Sequence, residues 1–231
     1  MASTVIEAPS ENPLGPCPAF VFGDVSTAEA AIIVIQEWWG ANQNIKDVAK
    51  LIGEKTNCVT LVPDLYRGKV ALDRETAGHY SKDLNWPGAV QDVDACARYL
   101  KSKGIKKVGA TGFCQGGALS IAVVTLYDSV DAAAPFYGIP RPANLTCDYS
   151  NIKVPLQCHF GEKDQAVGFS SKADYEAFQA KLKEYKVPHE FYTYDAGHAF
   201  ANKNNKESFN EEAYNLSFSR MFEFFEKHLK N

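Results

Sequence analysis

The chain lacks an excess of positive charge, a long apolar run and a leader-like start. Its 24 lysines and arginines are outweighed by 28 aspartates and glutamates, which gives a net charge of −4. Because a nucleic-acid surface normally shows a basic excess, we expect no nucleic-acid partner. No run of about 18 apolar residues exists, so neither a transmembrane helix nor a membrane partner is predicted. Residues 1–18 lack a basic start followed by an apolar stretch and do not predict a secretory signal.

Cysteine is sparse, and its spacing shows no paired motif. The six cysteines are Cys17, Cys58, Cys96, Cys114, Cys147 and Cys158. None of them forms a C-x-x-C pair, and nothing points to an oxidising compartment, so we expect reduced thiols in a cytoplasmic protein. Most of these thiols should be small buried apolar groups. No metal-ligand spacing is present, and we expect neither a metal nor another cofactor.

Apolar runs typical of buried strands alternate with amphipathic helical stretches. The predicted strands cover residues 31–35, 58–62, 107–111, 130–136, 154–160 and 190–194. The predicted helices cover residues 45–52 with Gly53 as terminator, 87–103 with Gly104 as terminator, 117–127, 167–187, and 211–229 with Leu216, Phe218, Met221 and Phe225 as core. This alternation predicts an α/β fold in which a mostly parallel sheet carries helices on both faces. Since no linker is visible, we predict one domain over residues 1–231, with residues 1–19 as an N-terminal extension.

The most specific local pattern is a cysteine between closely spaced glycines. Residues 112–117 read GFCQGG and lie between a predicted strand and a predicted helix. The pattern predicts a nucleophile elbow, because a sharp turn that projects the central side chain leaves no room for side chains two positions away. The N–H groups and dipole at the start of the following helix favour a thiolate at Cys114. The alternative is a glycine-rich turn with an incidental buried cysteine.

An elbow of this kind requires an acid and a histidine later in the chain. Of the five histidines, His198 follows the last predicted strand on a loop, in the segment DAGHAF. A sheet presents functional residues at that edge. His159 and His189 fall in or beside predicted strands and are expected to be structural. His79 and His228 lie in helical stretches, where a solvent-exposed role is the ordinary one.

Three acids compete for the position beside the histidine. Asp164 follows the predicted strand that ends at residue 160, which places it at the same sheet edge as His198. Its carboxylate would hold the imidazole in the required tautomer and stabilise the charged ring. Glu162 and Asp195 are the alternatives, although Asp195 is so near His198 in sequence that it is expected to cap the turn. We favour Asp164.

Four segments together resemble the dienelactone hydrolase family, an α/β-hydrolase branch that uses a cysteine nucleophile. They read QEWWG at residues 36–40, PDLY at 63–66, GFCQGG at 112–117 and GHAF at 197–200. The resemblance runs from about residue 20 to residue 229 and implies an α/β-hydrolase fold. It also implies that Cys114, His198 and Asp164 hydrolyse a lactone or small ester through a thioester intermediate.

The same resemblance implies roles for residues around the nucleophile. Glu37 matches a glutamate that contacts the resting thiol and helps to generate the thiolate when substrate binds. The backbone N–H groups of Trp38 and Gln115 match the oxyanion hole. Such donors are typically worth about 2.7–4 kcal/mol each in transition-state stabilisation.

The substrate side departs from the family pattern. The founding lactonases bind a substrate carboxylate with two arginines, of which Arg74 matches one. The second position carries Asn202, which is followed by Lys203. Since an asparagine has no charge and a lysine does not replace a bidentate guanidinium, we expect looser binding of an anionic lactone or ester. The aromatic residues expected to line the pocket are Trp38, Trp39, Phe113, Tyr137 and Phe200.

Two other classes of function are weighed against this interpretation. A glutaminase-type cysteine amidohydrolase uses a similar elbow with a later His-x-Glu, but the second residue after His198 is Phe200. A non-catalytic ligand-binding protein of the α/β-hydrolase fold need not keep Cys114, Asp164 and His198 together. We therefore expect an enzyme that acts on a small-molecule lactone or ester, as a monomer or a homodimer.

Overall fold

One twisted sheet of eight strands forms the centre of the molecule, seen in a computed structural model that describes residues 3–230. The strands are β1 (Thr4–Ala8), β2 (Cys17–Phe22), β3 (Ala30–Ile35), β4 (Val59–Pro63), β5 (Lys107–Phe113), β6 (Ala132–Phe136), β7 (Leu156–Gly161) and β8 (His189–Tyr194). Their order is β1-β2-β4-β3-β5-β6-β7-β8. Strands β3 to β8 run parallel, whereas β2 is antiparallel to both β1 and β4. The carboxyl ends of the six parallel strands therefore meet at one edge.

Within residues 3–230, six α-helices connect and cover the strands, together with a single 3₁₀ turn at Tyr149–Asn151. The helices are α1 (Gln43–Thr56), α2 (Arg74–Asp83), α3 (Trp86–Ser102), α4 (Gln115–Leu126), α5 (Lys172–Glu184) and α6 (Glu211–Leu229). None of the helices in residues 3–230 has the length and apolarity needed to cross a membrane.

The alternation of side chains along β3 divides the core into two layers. Ala31, Ile33 and Ile35 pack on one face with residues of α3, α4 and α5. Ile32 and Val34 point to the other face, where α1 and α6 cover them. Because successive residues of a strand face opposite sides, a strand that is apolar throughout requires helices on both faces. The mostly parallel sheet with two helical layers is as predicted.

Helix ends follow the local chemistry of their capping residues. Asn42 begins α1 by accepting a hydrogen bond from the Ile45 N–H, and Asn57 ends it in the left-handed region with φ of 51°. Gly53 therefore lies inside α1, and its predicted role as terminator is wrong. Helix α5 is shorter than predicted and begins after Ser171, whose capping box with Asp174 fixes its start. Helix α6 spans the predicted residues, but Leu216 is exposed and not part of the core.

The N-terminal extension contributes β1 and the first residues of β2 to the sheet, and a buried ion pair holds it in place. The Asp92 carboxylate on α3 accepts hydrogen bonds from both terminal nitrogens of Arg67, at 2.7 and 2.9 Å. It also accepts one from the Asn12 side-chain amide at 2.9 Å. Arg67 further donates to the Gly15 carbonyl at 3.1 Å. The loop between β1 and β2 is thereby fixed to α3 and to the loop after β4.

Asp92→Ala should lower the free energy of unfolding by about 3–5 kcal/mol, because it leaves the largely buried Arg67 guanidinium without its carboxylate. The measurement is urea denaturation at neutral pH. Glu29→Ala is the matched control, since it removes an ion pair with Lys106 in which both side chains are exposed. That change should cost less than about 1 kcal/mol. Similar costs for the two variants would contradict a structural role for the Arg67–Asp92 pair.

Candidate active site

Cys114 occupies the tight turn between β5 and α4 at the carboxyl edge of the sheet. Its backbone has φ of 56° and ψ of −119°, a region that non-glycine residues rarely adopt. A Cβ at Gly112 would collide with the Gly116 carbonyl, and one at Gly116 would collide with the Ile35 carbonyl at the end of β3. The two glycines are therefore required by the close approach of three backbone segments. The strained turn lifts the thiol above the sheet edge.

A chain of hydrogen bonds joins the thiol to a histidine and an acid. The His198 Nε2 lies 3.3 Å from the Cys114 Sγ, and its Nδ1 lies 2.7 Å from the Asp164 Oδ2. The other carboxylate oxygen of Asp164 accepts the Ala166 N–H at 2.9 Å. Ser170 donates its hydroxyl to Asp164 Oδ2 at 2.8 Å. With these contacts, the carboxylate orients the imidazole so that Nε2 faces the thiol.

The two competing acids have other partners. Glu162 accepts the Thr193 hydroxyl at 2.8 Å, and Asp195 forms an ion pair with Lys163 at 2.7 Å. Both are exposed, whereas the Asp164 side chain is fully buried against His198. Asp164 is therefore the acid that the fold brings to the imidazole.

The electrostatic surroundings favour a charged imidazole. Burial opposes a charge on His198, but hydrogen bonds to Asp164 and Cys114, with the charges of both groups, together raise the pKa of the imidazole to about 10. An imidazolium stabilises a neighbouring thiolate, which is the nucleophilic form of cysteine. The arrangement thus places a charged imidazole against the Cys114 sulfur.

Glu37 lies in the loop after β3 and is almost completely buried. Burial raises the pKa of its carboxyl to about 7, although the charge of His198 and a hydrogen bond from Asn202 act against the increase. The Asn202 amide nitrogen donates to Glu37 Oε2 at 2.5 Å, and the amide oxygen accepts the Asn204 N–H at 2.9 Å. Because the Asn204 contact fixes the amide, Asn202 offers Glu37 a neutral donor. The expected contact between Glu37 and the resting thiol is not present, since the thiol faces His198 instead.

The two residues whose N–H groups are expected in the oxyanion hole, Gln115 and Trp38, line the same cavity as Cys114. Gln115 is the first residue of α4, and its N–H precedes the helical hydrogen-bond pattern. The Gln115 side chain also fixes the facing loop, because its amide nitrogen lies 3.4 Å from the Glu37 carbonyl and 3.0 Å from the Tyr66 hydroxyl. Trp38, whose N–H is the other candidate donor, follows that carbonyl directly. The contact between Gln115 and the Glu37 carbonyl therefore joins the loop that carries Trp38 to the start of α4, and the Tyr66 hydroxyl fixes the same amide.

A cavity of about 710 Å³ opens above these residues. Its lining includes Cys114, His198 and Glu37, the two tryptophans Trp38 and Trp39, and side chains from α2 and from the loops after β6 and β7. The volume suits a small organic substrate. In residues 3–230 no group of three or more histidine, cysteine, aspartate and glutamate side chains is arranged to hold a metal ion.

Comparison with known proteins agrees with this geometry. The family model for the dienelactone hydrolase family matches residues 17–229. The chain belongs to the dienelactone hydrolase family. It is 32% identical over 219 residues to protein usf of Aquifex pyrophilus, covering 86% of this chain and 88% of that protein. It is 30% identical over 218 residues to a putative carboxymethylenebutenolidase of Synechocystis, covering 86% of each chain.

A solved structure shows the same fold. A putative dienelactone hydrolase from Klebsiella pneumoniae superposes with a TM-score of 0.82 at 21% identity, covering 96% of this chain and 97% of that one. The α/β-hydrolase fold implied by the sequence is confirmed. As a member of the dienelactone hydrolase family, the chain is a hydrolase that acts on ester or lactone bonds.

Only some of the side chains that were predicted to line the pocket do so. Trp38, Trp39 and Arg74 do. Phe113, Tyr137 and Phe200 do not: all three are buried, and Phe113 and Phe200 pack around Phe136 in the core behind the site. Tyr137 contacts the His198 ring from behind, with centroids 5.3 Å apart. The prediction that these three side chains line the pocket is wrong, because they are packed in the core and do not face the cavity. Asn202 borders the cavity, but its amide is engaged by Glu37.

Three residues that reach the site from irregular loops were not predicted from the sequence. Ser170 and Phe169 lie after β7, where Ser170 supports Asp164 and Phe169 packs against His198 with centroids 6.1 Å apart. Arg141 reaches the cavity from the loop after β6. Phe169 and Ser170 fell inside the helix predicted for residues 167–187, and the segment around Arg141 shows no periodic pattern. The available signal was their position after strands that end at the same sheet edge as Cys114.

Glu37→Gln should stabilise the protein at pH 8. Because the folded-state pKa of Glu37 is raised from about 4.5 to about 7, the stability of the wild type that depends on this proton is complete below pH 4.5 and lost as the pH rises through 7. The loss amounts to roughly 3 kcal/mol. Glutamine carries no such proton and can still accept the Asn202 hydrogen bond.

The measurement is chemical denaturation of both proteins at pH 5 and pH 8. We expect the free energy of unfolding of the variant to exceed that of the wild type mainly at pH 8. Glu207→Gln changes an exposed carboxylate at the same cavity. It should change the free energy of unfolding by the same amount at pH 5 and at pH 8. A pH-independent effect of Glu37→Gln would show that the carboxyl is not held neutral by burial.

Proposed function

We propose that the protein hydrolyses a lactone or small ester through a thioester on Cys114, with His198 and Asp164 completing a catalytic triad. The observation that carries this proposal is the hydrogen-bond chain from Sγ to Nε2 at 3.3 Å and from Nδ1 to the carboxylate at 2.7 Å, at the wall of a cavity. The strained elbow and the helix N-terminus behind the thiol support the same chemistry.

In the first half of the reaction, the Cys114 thiolate attacks the carbonyl carbon and forms a carbon–sulfur bond. The N–H groups of Trp38 and Gln115 stabilise the oxyanion. When the bond to the leaving oxygen breaks, the His198 imidazolium donates the Nε2 proton to that oxygen. A lactone opens in this step, and an ester releases its alcohol.

In the second half, neutral His198 takes a proton from water as the water oxygen attacks the thioester carbonyl. The carbon–sulfur bond breaks, the acid product leaves and the thiolate–imidazolium pair is restored. Asp164 holds the Nδ1 proton throughout and stabilises the ring when it is charged. Glu37, close to His198 and able to ionise near neutral pH, supports the formation of this ion pair once its carboxyl is charged.

The alternatives from the sequence have less support. Family membership favours a hydrolase over a glutaminase-type amidohydrolase and over a ligand-binding protein without catalysis. A cytoplasmic location and a monomeric or dimeric state stay predictions. The six free cysteines are in keeping with a reducing compartment.

Cys114 should be the thiol that forms the covalent intermediate. Limiting iodoacetamide should label it first and abolish esterase activity in proportion, because burial raises the pKa of the other half-buried thiol, Cys147, to about 11. Incubation with a chromogenic acetate ester followed by acid quench should give an acetyl adduct on Cys114 by mass spectrometry. Cys114→Ala should remove both the adduct and turnover, while Cys147→Ala should retain them. Full activity after complete labelling of Cys114 would exclude the mechanism.

Asp164→Asn should lower kcat by up to about 10⁴-fold while the protein remains folded, because the amide favours the wrong tautomer of His198. The measurement combines steady-state kinetics with circular dichroism. Glu162→Gln and Asp195→Asn are matched controls on the flanking loops, and neither should change kcat by more than a few fold. A severe loss in either control with little effect of Asp164→Asn would contradict the assigned triad.

A further inference from the structure

The cavity wall is richer in cations than the whole protein. Although the chain carries a net charge of −4, the wall combines three cationic side chains, Arg74, Lys82 and Arg141, with two carboxyl groups. The carboxyl of Glu37 is buried and ionises near neutral pH, and that of Glu207 is exposed. The charge of this wall therefore favours an anion over a cation.

The three cations differ in how they are held. Arg74 forms an ion pair with Glu207 at 3.1 Å, in which both side chains are mainly exposed. Its charge is thereby partly compensated before any substrate binds. Lys82 lies on the exposed side of α2, and a lysine ammonium on a flexible stem is a point charge with little directional preference.

Arg141 is fixed in a way that leaves its binding face free. Its Nε donates to the Gly168 carbonyl at 3.2 Å, and its guanidinium lies over the Phe169 ring, 4.8 Å from the centroid. The Arg141 carbonyl also accepts the Asn144 N–H at 2.9 Å, which orders the turn that carries the side chain. No carboxylate of residues 3–230 forms an ion pair with Arg141, and its two terminal nitrogens make no hydrogen bond there.

The same aromatic ring connects Arg141 to the catalytic site. Phe169 contacts both the guanidinium and the His198 imidazole, so one ring separates the free cation from the group that donates the proton to the leaving oxygen. The Ile139 N–H donates to the Phe169 carbonyl at 3.0 Å and joins the loop after β6 to the loop after β7. A group that lies a few bonds from the ester carbonyl of a bound substrate would therefore reach Arg141.

We propose that Arg141 binds a carboxylate of the substrate and so selects acidic esters or lactones over neutral ones. A guanidinium held through Nε and by stacking presents two parallel N–H donors, the geometry that suits a carboxylate. This assigns the anion contact to Arg141 in preference to Arg74. The inference rests on the proposed esterase function for its kinetic consequence, but the binding of a carboxylate can be tested without turnover.

The kinetic test compares two aryl esters of the same chain length, the 4-nitrophenyl monoester of adipic acid and that of its primary monoamide. The wild type should show a kcat/KM roughly ten- to a hundredfold higher for the acid. Arg141→Met should reduce this ratio to near one, and Arg141→Lys should keep part of it. Lys82→Met is the matched control and should keep most of the ratio, because a flexible ammonium adds charge but no bidentate contact with a carboxylate.

The binding test is a calorimetric titration of the wild type and of Arg141→Met with adipate, which contains no ester to hydrolyse. The variant should bind at least tenfold more weakly. Equal rates for the two esters in the wild type, or loss of the ratio in Arg74→Ala but not in Arg141→Met, would overturn the assignment. If neither ester is hydrolysed, the proposed thioester chemistry fails, and the adipate titration alone decides the role of Arg141.

Discussion

The active site depends on the close packing of three backbone segments at the end of β5. The turn at Cys114 is held between the carboxyl end of β3 and the start of α4, and Gly112 and Gly116 are the positions where a side chain would prevent that approach. A further contact comes from Gly138, where a Cβ would collide with the Cys114 carbonyl. The strain in the turn is therefore maintained by the core of the sheet, which is apolar and covered on both faces. The thiol owes its position to the whole sheet and not to the motif alone.

Polar contacts then adjust what the backbone places. His198 and Asp164 come from loops after two other parallel strands, and their charges support each other. Glu37 differs, because its hydrogen-bond partner Asn202 is neutral. The charge of the nearby His198 is what compensates a negative charge on Glu37. The site thus contains one carboxyl group that is hydrogen-bonded to the imidazole and one that ionises near neutral pH. Their unequal surroundings suit unequal roles in the reaction.

Periodicity predicted the fold well, and motif context singled out Cys114, Asp164 and His198, which the structure brings into contact. Strands β3 to β8 were predictable because each is an apolar run between helical stretches, and the elbow was predictable because its glycines leave few other interpretations. Strand β1 was missed because its side chains are mainly exposed, and β2 because it contains Pro18. Asp164 was favoured from the sequence, and the coordinates separate it from Glu162 and Asp195 by its burial and its contact with His198.

The pocket was less predictable, for a physical reason. Aromatic side chains next to catalytic residues face either the cavity or the core, and one step along a strand or turn reverses the direction. Phe200 was therefore assigned to the wrong side. Arg141 was missed because its place depends on a stacked ring and a carbonyl from another loop, contacts that leave no local pattern. Such tertiary contacts are absent from any single segment of sequence.

The separation of the catalytic residues along the chain has a consequence for how the enzyme matures. Cys114 and His198 are 84 residues apart, and α6, which covers one face of the sheet, comes after both. Closing such a loop is entropically costly until the core compensates for it. During synthesis the cysteine consequently emerges long before its histidine, and the nascent chain carries an ordinary thiol. In the proposed mechanism, the contact that activates Cys114 therefore exists only once both ends of this long loop have come together at the sheet edge.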